Sequence, residues 1–367
     1  MSNNTYGYGQ MPRRATRPVK VGSLTIGGNA PISVQSMLNA NPHDEQAVRN
    51  QLRALAAAGC EIARLTVPDQ QAVDVLAAVL KDAPIPLVAD IHFDYRLAIA
   101  AMEAGVHKVR INPGNIGSIE RIAEVAAAAR ERQVPIRIGV NAGSLERSLL
   151  EKYQGPTAAA LAESALSQAA VLEGLGHNAI VLSAKASDVP TTIETYRILA
   201  QKCNYPLHIG VTEAGTLLTG SIRTAVGLGI LLWQGIGDTL RVSLTGDPVP
   251  EIKAGFDILK ALDLRKKGPV VIACPTCGRT RIDLPKLAAE IEKIAADIDK
   301  PLKIAVMGCA VNGPGEAREA DLGIAGGNEE GLIFRQGRIL KKVPAADLLS
   351  VFKQELTDLV AEIRKEK

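Results

Sequence analysis

Short runs of β-branched and aliphatic residues alternate, from Ile32 onward, with longer stretches rich in Ala, Leu and Glu. The short runs have the composition of buried parallel strands, and the longer stretches have the apolar spacing of amphipathic helices. Eight such units in succession predict an α/β fold, a closed parallel (β/α)8 barrel. The predicted strands are Ile32–Gln35, Ile62–Val67, Leu87–Ile91, Lys108–Ile111, Ile136–Val140, Ala179–Ser183, Leu207–Val211 and Thr239–Leu244.

Two further segments precede the first barrel strand. The polar, Gly-rich segment 1–17 predicts a flexible arm. After it, Val19–Val21 and Leu24–Ile26 flank a short turn, which predicts a hairpin against the barrel floor. The barrel domain is therefore expected to span 18–264, close to the roughly 250 residues typical of this fold.

The pattern changes at the charged, Pro-terminated segment Arg265–Pro269. Beyond it we expect a separate α+β domain over 265–367. Its predicted elements are a strand at Pro269–Ala273, a helix at Leu284–Ile298, a strand at Leu302–Met307, two short strands bounded by glycines, and a helix at Ala345–Lys365.

Composition narrows the class of protein. Hydrophobic residues make up 47% and charged residues 22% of the 367 residues, as in globular proteins with sizeable cores. Aromatic residues are only 3% and the net charge is only +3, so we expect no nucleic-acid partner. No apolar run is long enough for a membrane span, and the N-terminus lacks the apolar core of a signal peptide. Five cysteines, an odd number, are expected to be free thiols or ligands in the cytoplasm.

Polar residues cluster where the predicted strands end, which is where (β/α)8 enzymes carry their sites. Arg and Lys are rarely buried without a partner, so their excess predicts an anionic ligand, and several guanidinium groups suit a diphosphate. The open alternative is a structural network in which the arginines pair with Asp90, Glu213 and Asp238. The strand-end candidates are Arg64, Asp90, His92, Arg110, Asn112, Arg137, Asn141, Ser144, Ser183, Lys185, His208, Glu213, Arg241 and Ser243.

The second domain carries a metal motif. Cys274-Pro-Thr-Cys277 follows one predicted strand, and Cys309 lies on a Gly-rich loop after the next. The domain has no histidine and no fourth cysteine, so it lacks the four cysteine or histidine ligands that a closed zinc site usually has. Three cysteines with one replaceable position favour a [4Fe–4S] cluster. A redox dithiol and half of a zinc ribbon remain alternatives. Cys60 and Cys203 precede strands and are expected to be small buried side chains.

With these motifs the sequence resembles the 4-hydroxy-3-methylbut-2-enyl diphosphate synthase (GcpE) family, in its two-domain bacterial form, over nearly the whole chain. The motifs are Ser36-Met37, Val109–Asn115, Gly139–Ser144, Thr212–Gly215, Cys274–Arg279 and Asn312–Glu316. The resemblance implies a TIM barrel followed by a domain similar to part of sulfite and nitrite reductases. It also implies that Cys274, Cys277, Cys309 and Glu316 hold a [4Fe–4S] cluster.

The resemblance further implies a reaction of the non-mevalonate isoprenoid pathway. The reaction is two-electron reductive ring opening and dehydration of 2-C-methyl-D-erythritol 2,4-cyclodiphosphate to (E)-4-hydroxy-3-methylbut-2-enyl diphosphate. Flavodoxin or ferredoxin would donate the electrons, and a homodimer would complete each active site in trans.

The residues divide into three expected roles. Glu316, Glu213 and Asp90 are the expected catalytic groups, with Glu213 as an acid. The expected substrate-binding residues are Arg64, Arg110, Asn112, Arg137, Asn141, Lys185, His208, Arg241 and Ser243. Two other classes stay open: a zinc-binding adaptor without activity, and a barrel lyase in which Lys185 forms a Schiff base.

Overall fold

Eight parallel strands form the first domain of the computed structural model, which describes residues 11–310, 313–327 and 329–365. The strands are β3 (Ser33–Met37), β4 (Ile62–Thr66), β5 (Leu87–Asp90), β6 (Lys108–Ile111), β7 (Ile136–Asn141), β8 (Ile180–Lys185), β9 (His208–Ile209) and β10 (Thr239–Leu240). They follow one another around the sheet, and a parallel bridge between Leu182 and Leu207 joins β8 to the segment before β9. The predicted barrel is confirmed.

Helices surround this barrel. They are α1 (Glu45–Ala57), α2 (Gln70–Leu80), α3 (Tyr95–Glu103), α4 (Pro113–Ile116), α5 (Ile119–Glu131), α6 (Arg147–Tyr153), α7 (Ala158–Gly174), α8 (Val189–Lys202), α9 (Leu217–Trp233) and α10 (Val249–Ala261). Several begin at a residue whose side-chain oxygen accepts a backbone N–H of the first turn, which satisfies a donor the helix leaves free. These N-caps are Asp44, Asp69, Asp94, Thr157 and Asp188. Among the described residues, no helix is both long and apolar enough to cross a bilayer.

The barrel floor is closed by the predicted hairpin of β1 (Val19–Val21) and β2 (Leu24–Ile26). Its Val19, Val21 and Ile26 form one apolar cluster with Ile62, Val88 and Val181, which lie low on three barrel strands. This cluster keeps the lower end of the barrel interior away from solvent.

The segment 11–17 differs from the flexible arm that its polarity predicted. Its backbone donates hydrogen bonds to the barrel from Met11 to Trp233, from Arg14 to Gly235 and from Arg17 to Asn204. Arg13 also pairs with Asp238 at 3.3 Å. The polar side chains of this segment attach it to the floor side of the barrel, because backbone carbonyls and the Asp238 carboxylate accept hydrogen bonds from their N–H groups. The rest of the predicted arm, 1–10, lies outside the described residues.

Two predicted strands are shorter than expected. The runs Leu207–Val211 and Thr239–Leu244 yield only the two-residue strands β9 and β10. A Cβ at Gly210 would lie 2.5 Å from Lys185 Nζ and 2.7 Å from the Arg241 carbonyl oxygen. The ladder ends at this point because the chain leaves it to make room for polar groups.

The second compact unit begins at Lys266, since Arg265 still belongs to the first. Its sheet has the order β11 (Val270–Ala273), β12 (Lys303–Met307), β13 (Leu322–Ala325), β14 (Glu330–Arg335) and β15 (Arg338–Pro344). The first three strands are parallel and the last two pairings are antiparallel. The helices are α11 (Leu284–Ala296), α12 (Gly313–Glu316) and α13 (Leu348–Lys365), and the first and last pack their apolar faces into one core with the sheet.

The sequence predicted two short strands where this domain has three. The unpredicted strand is β15, which follows β14 after a turn at Gln336-Gly337, where both residues have positive φ (51° and 76°). Most of β15 is exposed, so it lacks the alternation of buried and polar side chains that marks a strand in a sequence.

The contact between α10 and the barrel offers a test of packing. A Cβ at Gly255 would lie 2.9 Å from Cγ1 of Val34 and 3.1 Å from Cδ1 of Leu240, both fully buried. We expect Gly255→Ala to lower the free energy of unfolding by about 1 kcal/mol or more, because overpacking costs roughly 1–3 kcal/mol and the helix gains only about 1. Chemical denaturation measures this difference.

Gly174→Ala is the matched control, since this helical glycine has open space where the Cβ would lie. It should leave stability unchanged or raise it by up to about 1 kcal/mol, because only the helix-propensity gain applies there. Equal effects of the two substitutions would contradict the packing argument.

Candidate active site

The inward-facing side chains of the barrel are unusually polar. On β6 and β7 they include Lys108, Arg110 and Arg137, which are 0%, 6% and 1% exposed. The register places Arg110 beside both Asp90 and Arg137. An ordinary barrel of this type fills its interior with branched apolar residues. The departure indicates a ligand site.

A cavity of about 170 Å³ opens at the carboxyl ends of the strands. Eight of the predicted site residues line it: Arg64, Asp90, Arg110, Arg137, Asn141, Lys185, Arg241 and Ser243. Met37, His92, Gly139, Ser183 and Thr212 complete the lining. Met37 and Gly139 were not singled out for chemistry by the sequence, because an apolar side chain and a glycine carry no such signal.

Asp90 organises one side of this cavity. Its Oδ1 accepts a hydrogen bond from Arg110 Nη1 at 3.0 Å, and its Oδ2 lies 3.6 Å from Arg64 Nε. Burial alone would raise the pKa of the Asp90 carboxyl, but Arg64 and Arg110 outweigh it and lower the pKa to about 2. Asp90 is therefore a carboxylate at neutral pH and holds the two arginines in place.

Gly139 lets Arg110 lie across β7. Arg110 Nη2 donates to the Gly139 carbonyl at 2.9 Å, and a Cβ at Gly139 would lie 2.2 Å from Arg110 Nε. Any larger residue would displace the guanidinium. The sequence motif that begins at Gly139 thus has a steric cause.

A second carboxylate reaches the cavity wall from a helix. Glu251 of α10 is 2% exposed and lies 3.3 Å from Arg241 Nη2, and it accepts a hydrogen bond from Ser36 Oγ at 2.7 Å. Sequence reasoning missed this residue because a glutamate in an amphipathic helix reads as a solvated side chain. The proposed pairing of site arginines with Asp238 is wrong, since Asp238 lies at the floor and bonds Arg13, Thr16 and Leu207.

Arg137 and Lys185 have no counterion within ion-pair distance among the described residues. Five basic side chains line the cavity (Arg64, Arg110, Arg137, Lys185 and Arg241), and only two carboxylates among the described residues pair with them (Asp90 and Glu251), so the basic groups exceed the acidic ones by three. Burial, and then the neighbouring cations, lower the pKa of Lys185 and Arg137 well below their usual values. A guanidinium nevertheless stays protonated at neutral pH. The lowered pKa therefore indicates how strongly this cavity attracts an anion.

Three predicted site residues do not line the cavity. Asn112 is buried and donates from Nδ2 to Ser144 Oγ at 3.2 Å, and His208 is fully buried in the barrel interior. Glu213 is exposed and has a positive φ of 53°, an uncommon backbone conformation for a residue other than glycine. Such conformations cluster at functional sites.

The three cysteines of the second domain lie on two adjacent loops. β11 and β12 are parallel neighbours, so the loops that follow them leave from the same edge of the sheet. Cys274 follows β11 directly, and the Gly308 N–H donates to Cys274 Sγ at 3.0 Å. A Cβ at Gly308 would lie 2.9 Å from Thr280 Oγ1, so glycine is needed for this close approach.

The environment of Cys277 favours its thiolate form. Backbone N–H of Arg279, with help from its side chain and Thr280, lowers the pKa of the exposed Cys277 thiol. Glu316 is an exposed residue at the end of α12. Among the described residues, no three His, Cys, Asp or Glu side chains converge on the position of a single metal ion. The predicted residue Asn312 lies outside the described part of the chain.

The remaining cysteines and a second hollow lack this chemistry. Burial raises the pKa of Cys60 to about 11, as expected for a buried thiol. A hollow of about 490 Å³ beside Cys203 and Tyr205 contains Arg17, whose charge is already paired with Glu173 at 2.8 Å. Lys202 is the only other charged residue among the described ones that line it, and it is exposed, so this hollow lacks the buried basic groups of the barrel cavity.

The fold and the site thus define a (β/α)8 protein with a cavity lined largely by basic side chains, joined to a domain that carries three cysteines on two adjacent loops. Residues 16–256 match the GcpE TIM-barrel domain, and residues 270–358 match the GcpE protein C-terminal domain. The chain belongs to the GcpE family.

Curated relatives agree over nearly the full length. A protein of Geobacter sulfurreducens is 59% identical over 347 residues, which cover 95% of this chain and 98% of that protein. A protein of Caldanaerobacter subterraneus is 56% identical over 350 residues, covering 95% and 99%. Both are named 4-hydroxy-3-methylbut-2-en-1-yl diphosphate synthase (flavodoxin).

The uncompensated charge predicts that inorganic pyrophosphate stabilises the barrel. At a concentration about a hundredfold above its Kd, a bound ligand adds about 2.7 kcal/mol, or roughly 5–10 °C in the Tm of a domain of this size. Arg137→Met should raise the ligand-free Tm, because it removes a buried unpaired charge, yet lose most of the pyrophosphate shift.

Arg147→Met is the control, since this arginine lies on α6 with a 92% exposed side chain. It should keep the full shift. A normal shift in Arg137→Met would place the anion elsewhere. Differential scanning calorimetry provides both measurements.

Proposed function

We propose that this protein is an iron–sulfur oxidoreductase of isoprenoid biosynthesis. It would catalyse reductive ring opening and dehydration of 2-C-methyl-D-erythritol 2,4-cyclodiphosphate to (E)-4-hydroxy-3-methylbut-2-enyl diphosphate. The observation that carries the proposal is the excess of three basic side chains over carboxylates around a cavity at the barrel mouth. The name shared by the relatives supports the same reaction.

In this proposal the cations bind the diphosphate. Arg137 and Lys185 have no counterion and take the phosphoryl oxygens first, while Arg64, Arg110 and Arg241 are held in position by Asp90 and Glu251. Ser243 would add a hydrogen bond, and Asn141 would face the carbon skeleton. Ring opening leaves a phosphoryl oxygen with additional negative charge, which this cavity is built to stabilise.

Asp90 is unsuited to proton donation, because its pKa of about 2 keeps it ionised at neutral pH. We assign it the role of orienting Arg64 and Arg110. The acid that assists departure of water would be Glu213, on an exposed and conformationally strained turn next to the lining residue Thr212. Asn112 and His208 would act from behind the lining, as supports.

The thiols of the second domain fit an iron–sulfur cluster. Cys274, Cys277 and Cys309 supply soft ligands, and the Gly308 N–H already donates to a cysteine sulfur, as hydrogen bonds do around such clusters. Glu316 would be a fourth, replaceable ligand. When bound, the cluster would supply the two electrons of the reaction one at a time.

Flavodoxin, named in the relatives, is the proposed electron donor, with ferredoxin as the alternative. The cysteines of the described chain are all unpaired, which supports a reducing, cytoplasmic location.

Cluster ligation and turnover can be separated by substitution. After anaerobic reconstitution, Cys309→Ser should lose most bound iron and sulfide, because a thiolate ligand is lost. Glu316→Ala should retain much of the iron and lose turnover of the cyclodiphosphate with reduced flavodoxin. Iron, sulfide and zinc analysis with a product assay measures both.

Cys203→Ser is the control, since this cysteine belongs to the barrel and lies at its outer surface. It should keep both the iron and the activity. Stoichiometric zinc without iron would favour the adaptor, and borohydride trapping of substrate on Lys185 would favour the lyase. Full activity of Glu316→Ala would contradict a replaceable fourth ligand.

We also propose a homodimer. Helix α9 exposes an apolar stripe along its whole length, with side chains about one turn apart on one face. The stripe consists of Leu218, Ile222, Val226, Ile230 and Trp233, which are 37–74% exposed. A contiguous apolar face of this kind is rarely left to water, and a second copy of the chain can cover it symmetrically.

The way the chain leaves the barrel supports a site completed in trans. Arg265 donates to the Ile32 carbonyl at 2.7 Å and pairs with Glu61 at 2.7 Å, and both partners precede barrel strands at the floor. Four residues, 266–269, then lead to β11, and they extend at most about 14 Å. The chain therefore leaves the barrel at the end opposite the cavity, and we propose on this ground that each second domain serves the barrel of a partner.

Complementation tests this arrangement. Arg110→Ala inactivates the barrel and Cys309→Ser inactivates the cluster domain, so each variant alone should be inactive. In a mixed dimer assembled in trans, one of the two sites combines an intact barrel with an intact cluster domain, and up to half of the parental activity per mixed dimer should return. Absence of recovery in demonstrated heterodimers would favour a site within one chain.

A further inference from the structure

Below the cavity lining, the barrel interior contains polar atoms that have no hydrogen-bond partner among the described residues. They include Lys108 Nζ, both ring nitrogens of His208, both amide atoms of Gln35 and the hydroxyl of Thr239. All four residues are fully buried. Buried polar atoms without a partner destabilise the fold, so such a group calls for a functional explanation.

Among these residues, Lys108 is the one whose burial without a partner is the most unfavourable. It opens β6 and is paired in register with the apolar Val88. Its Nζ has no exposed surface and no acceptor, and no carboxylate lies within ion-pair distance among the described residues. An ammonium ion donates three hydrogen bonds, and the described residues around this position supply no acceptor for them.

The charged and titratable groups around Lys108 are all basic. Arg137 on β7 and Arg64 on β4 repel a positive charge at Nζ, and His208 on β9 is the remaining titratable neighbour. The other inward side chains at this depth, Gln35, Thr239, Val88 and Val181, are uncharged. Below them lies the apolar floor hairpin.

We propose that Lys108 is an uncharged amine in the ligand-free protein and takes up a proton when a diphosphate binds among the arginines above it. The second half of this statement rests on the proposed function, whereas the first half rests only on the barrel interior. Burial, followed by repulsion from Arg137 and Arg64, lowers the pKa of Lys108 well below its usual value, in agreement with the geometry.

Binding of an anion reverses the electrostatic effect on a proton at Lys108. The bound phosphoryl groups would neutralise the arginines that repel a proton on Lys108, and their own negative charge would attract one. Lys108 thus becomes an additional cation only when the ligand is present. The ligand-free protein avoids one more buried positive charge, and the complex gains it.

The charge state of Lys108 without ligand is tested by stability. In the unfolded chain Lys108 is protonated below about pH 10, whereas in the folded protein it is neutral, so it destabilises the fold increasingly as the pH falls. Lys108→Met removes the titrating group at similar length. Its stability gain over the parent should grow by up to about tenfold in the folding equilibrium constant per pH unit as the pH falls from about 9 to 7.

Two further variants serve this test, one as a substitute for Lys108→Met and one as a control. Lys108→Leu should give the same pH dependence and replaces Lys108→Met if the latter folds poorly. Lys20→Met removes an exposed lysine of the floor hairpin and should show no pH-dependent gain. A gain that is constant with pH, or a loss of stability at neutral pH, would mean that Lys108 is charged and paired, and would overturn the proposal.

Proton uptake is tested by titration calorimetry in buffers of different ionisation enthalpy. The cyclodiphosphate keeps a constant charge near neutral pH, so any proton taken up on binding enters the protein. The parent should take up more protons than Lys108→Met, by up to one per site, and its Kd should rise more steeply with pH. Any uptake at His208 or His92 remains in both proteins and cancels in the difference.

The outcomes separate the two proposals. Failure of the cyclodiphosphate to bind would sink the proposed function, and the pH dependence of stabilisation by sulfate, whose charge is also constant, then decides the role of Lys108. Binding with equal proton uptake in the parent and Lys108→Met would overturn the inference and leave the proposed function intact.

Discussion

The constraint on which this structure depends is an excess of positive charge inside a closed barrel. Charges removed from water are costly unless they are paired, and among the described residues only Asp90 and Glu251 pair with the cations that line the cavity. In the proposed function a ligand balances the remaining charge. The protein would then carry an unfavourable interaction in its resting state that an anion relieves, which is how stability is exchanged for binding strength at many sites.

Other features of the barrel follow from the close packing of these cations. Glycines at 139 and 210 are needed because Arg110 and Lys185 occupy the space where side chains would be. The same crowding shortens β9 and β10, since the backbone leaves the ladder beside the polar groups. Capped helices and an apolar outer core then supply the rigidity that the polar interior cannot.

Much of the fold and of the cavity could be predicted from the sequence, because in a parallel barrel the site residues stand next to the apolar runs that form the strands. Polar residues at the ends of apolar runs are visible in one dimension, and parallel strands bring their carboxyl ends to one edge, so Arg64, Asp90, Arg110 and Arg137 could be grouped correctly into one cavity. Glu251 could not be found in this way, because its contact with Arg241 depends on how α10 turns toward the barrel.

Two other differences have related physical causes. The strand β15 is exposed and lies at a sheet edge, so no burial pattern records it. The sequence predicts His208 among the strand-end residues, but it opens β9, so it lies inside the barrel and not at its mouth. Sequence periodicity reports which face a residue occupies, but it does not report depth along the barrel axis.

Depth is what distinguishes Lys108 from the arginines. It shares their inward face, yet it lies at the amino end of β6, close to the floor that Val19, Val21 and Ile26 close against solvent. Arg137 is higher and can meet an anion directly, and a guanidinium remains charged wherever it is placed. An amine has the option of losing its proton. Burial therefore affects the two side chains differently. The arginine keeps its charge and can bind an anion, whereas the charge of the lysine below it depends on whether the ligand is present. The closed floor maintains this difference because it keeps solvent away from Lys108.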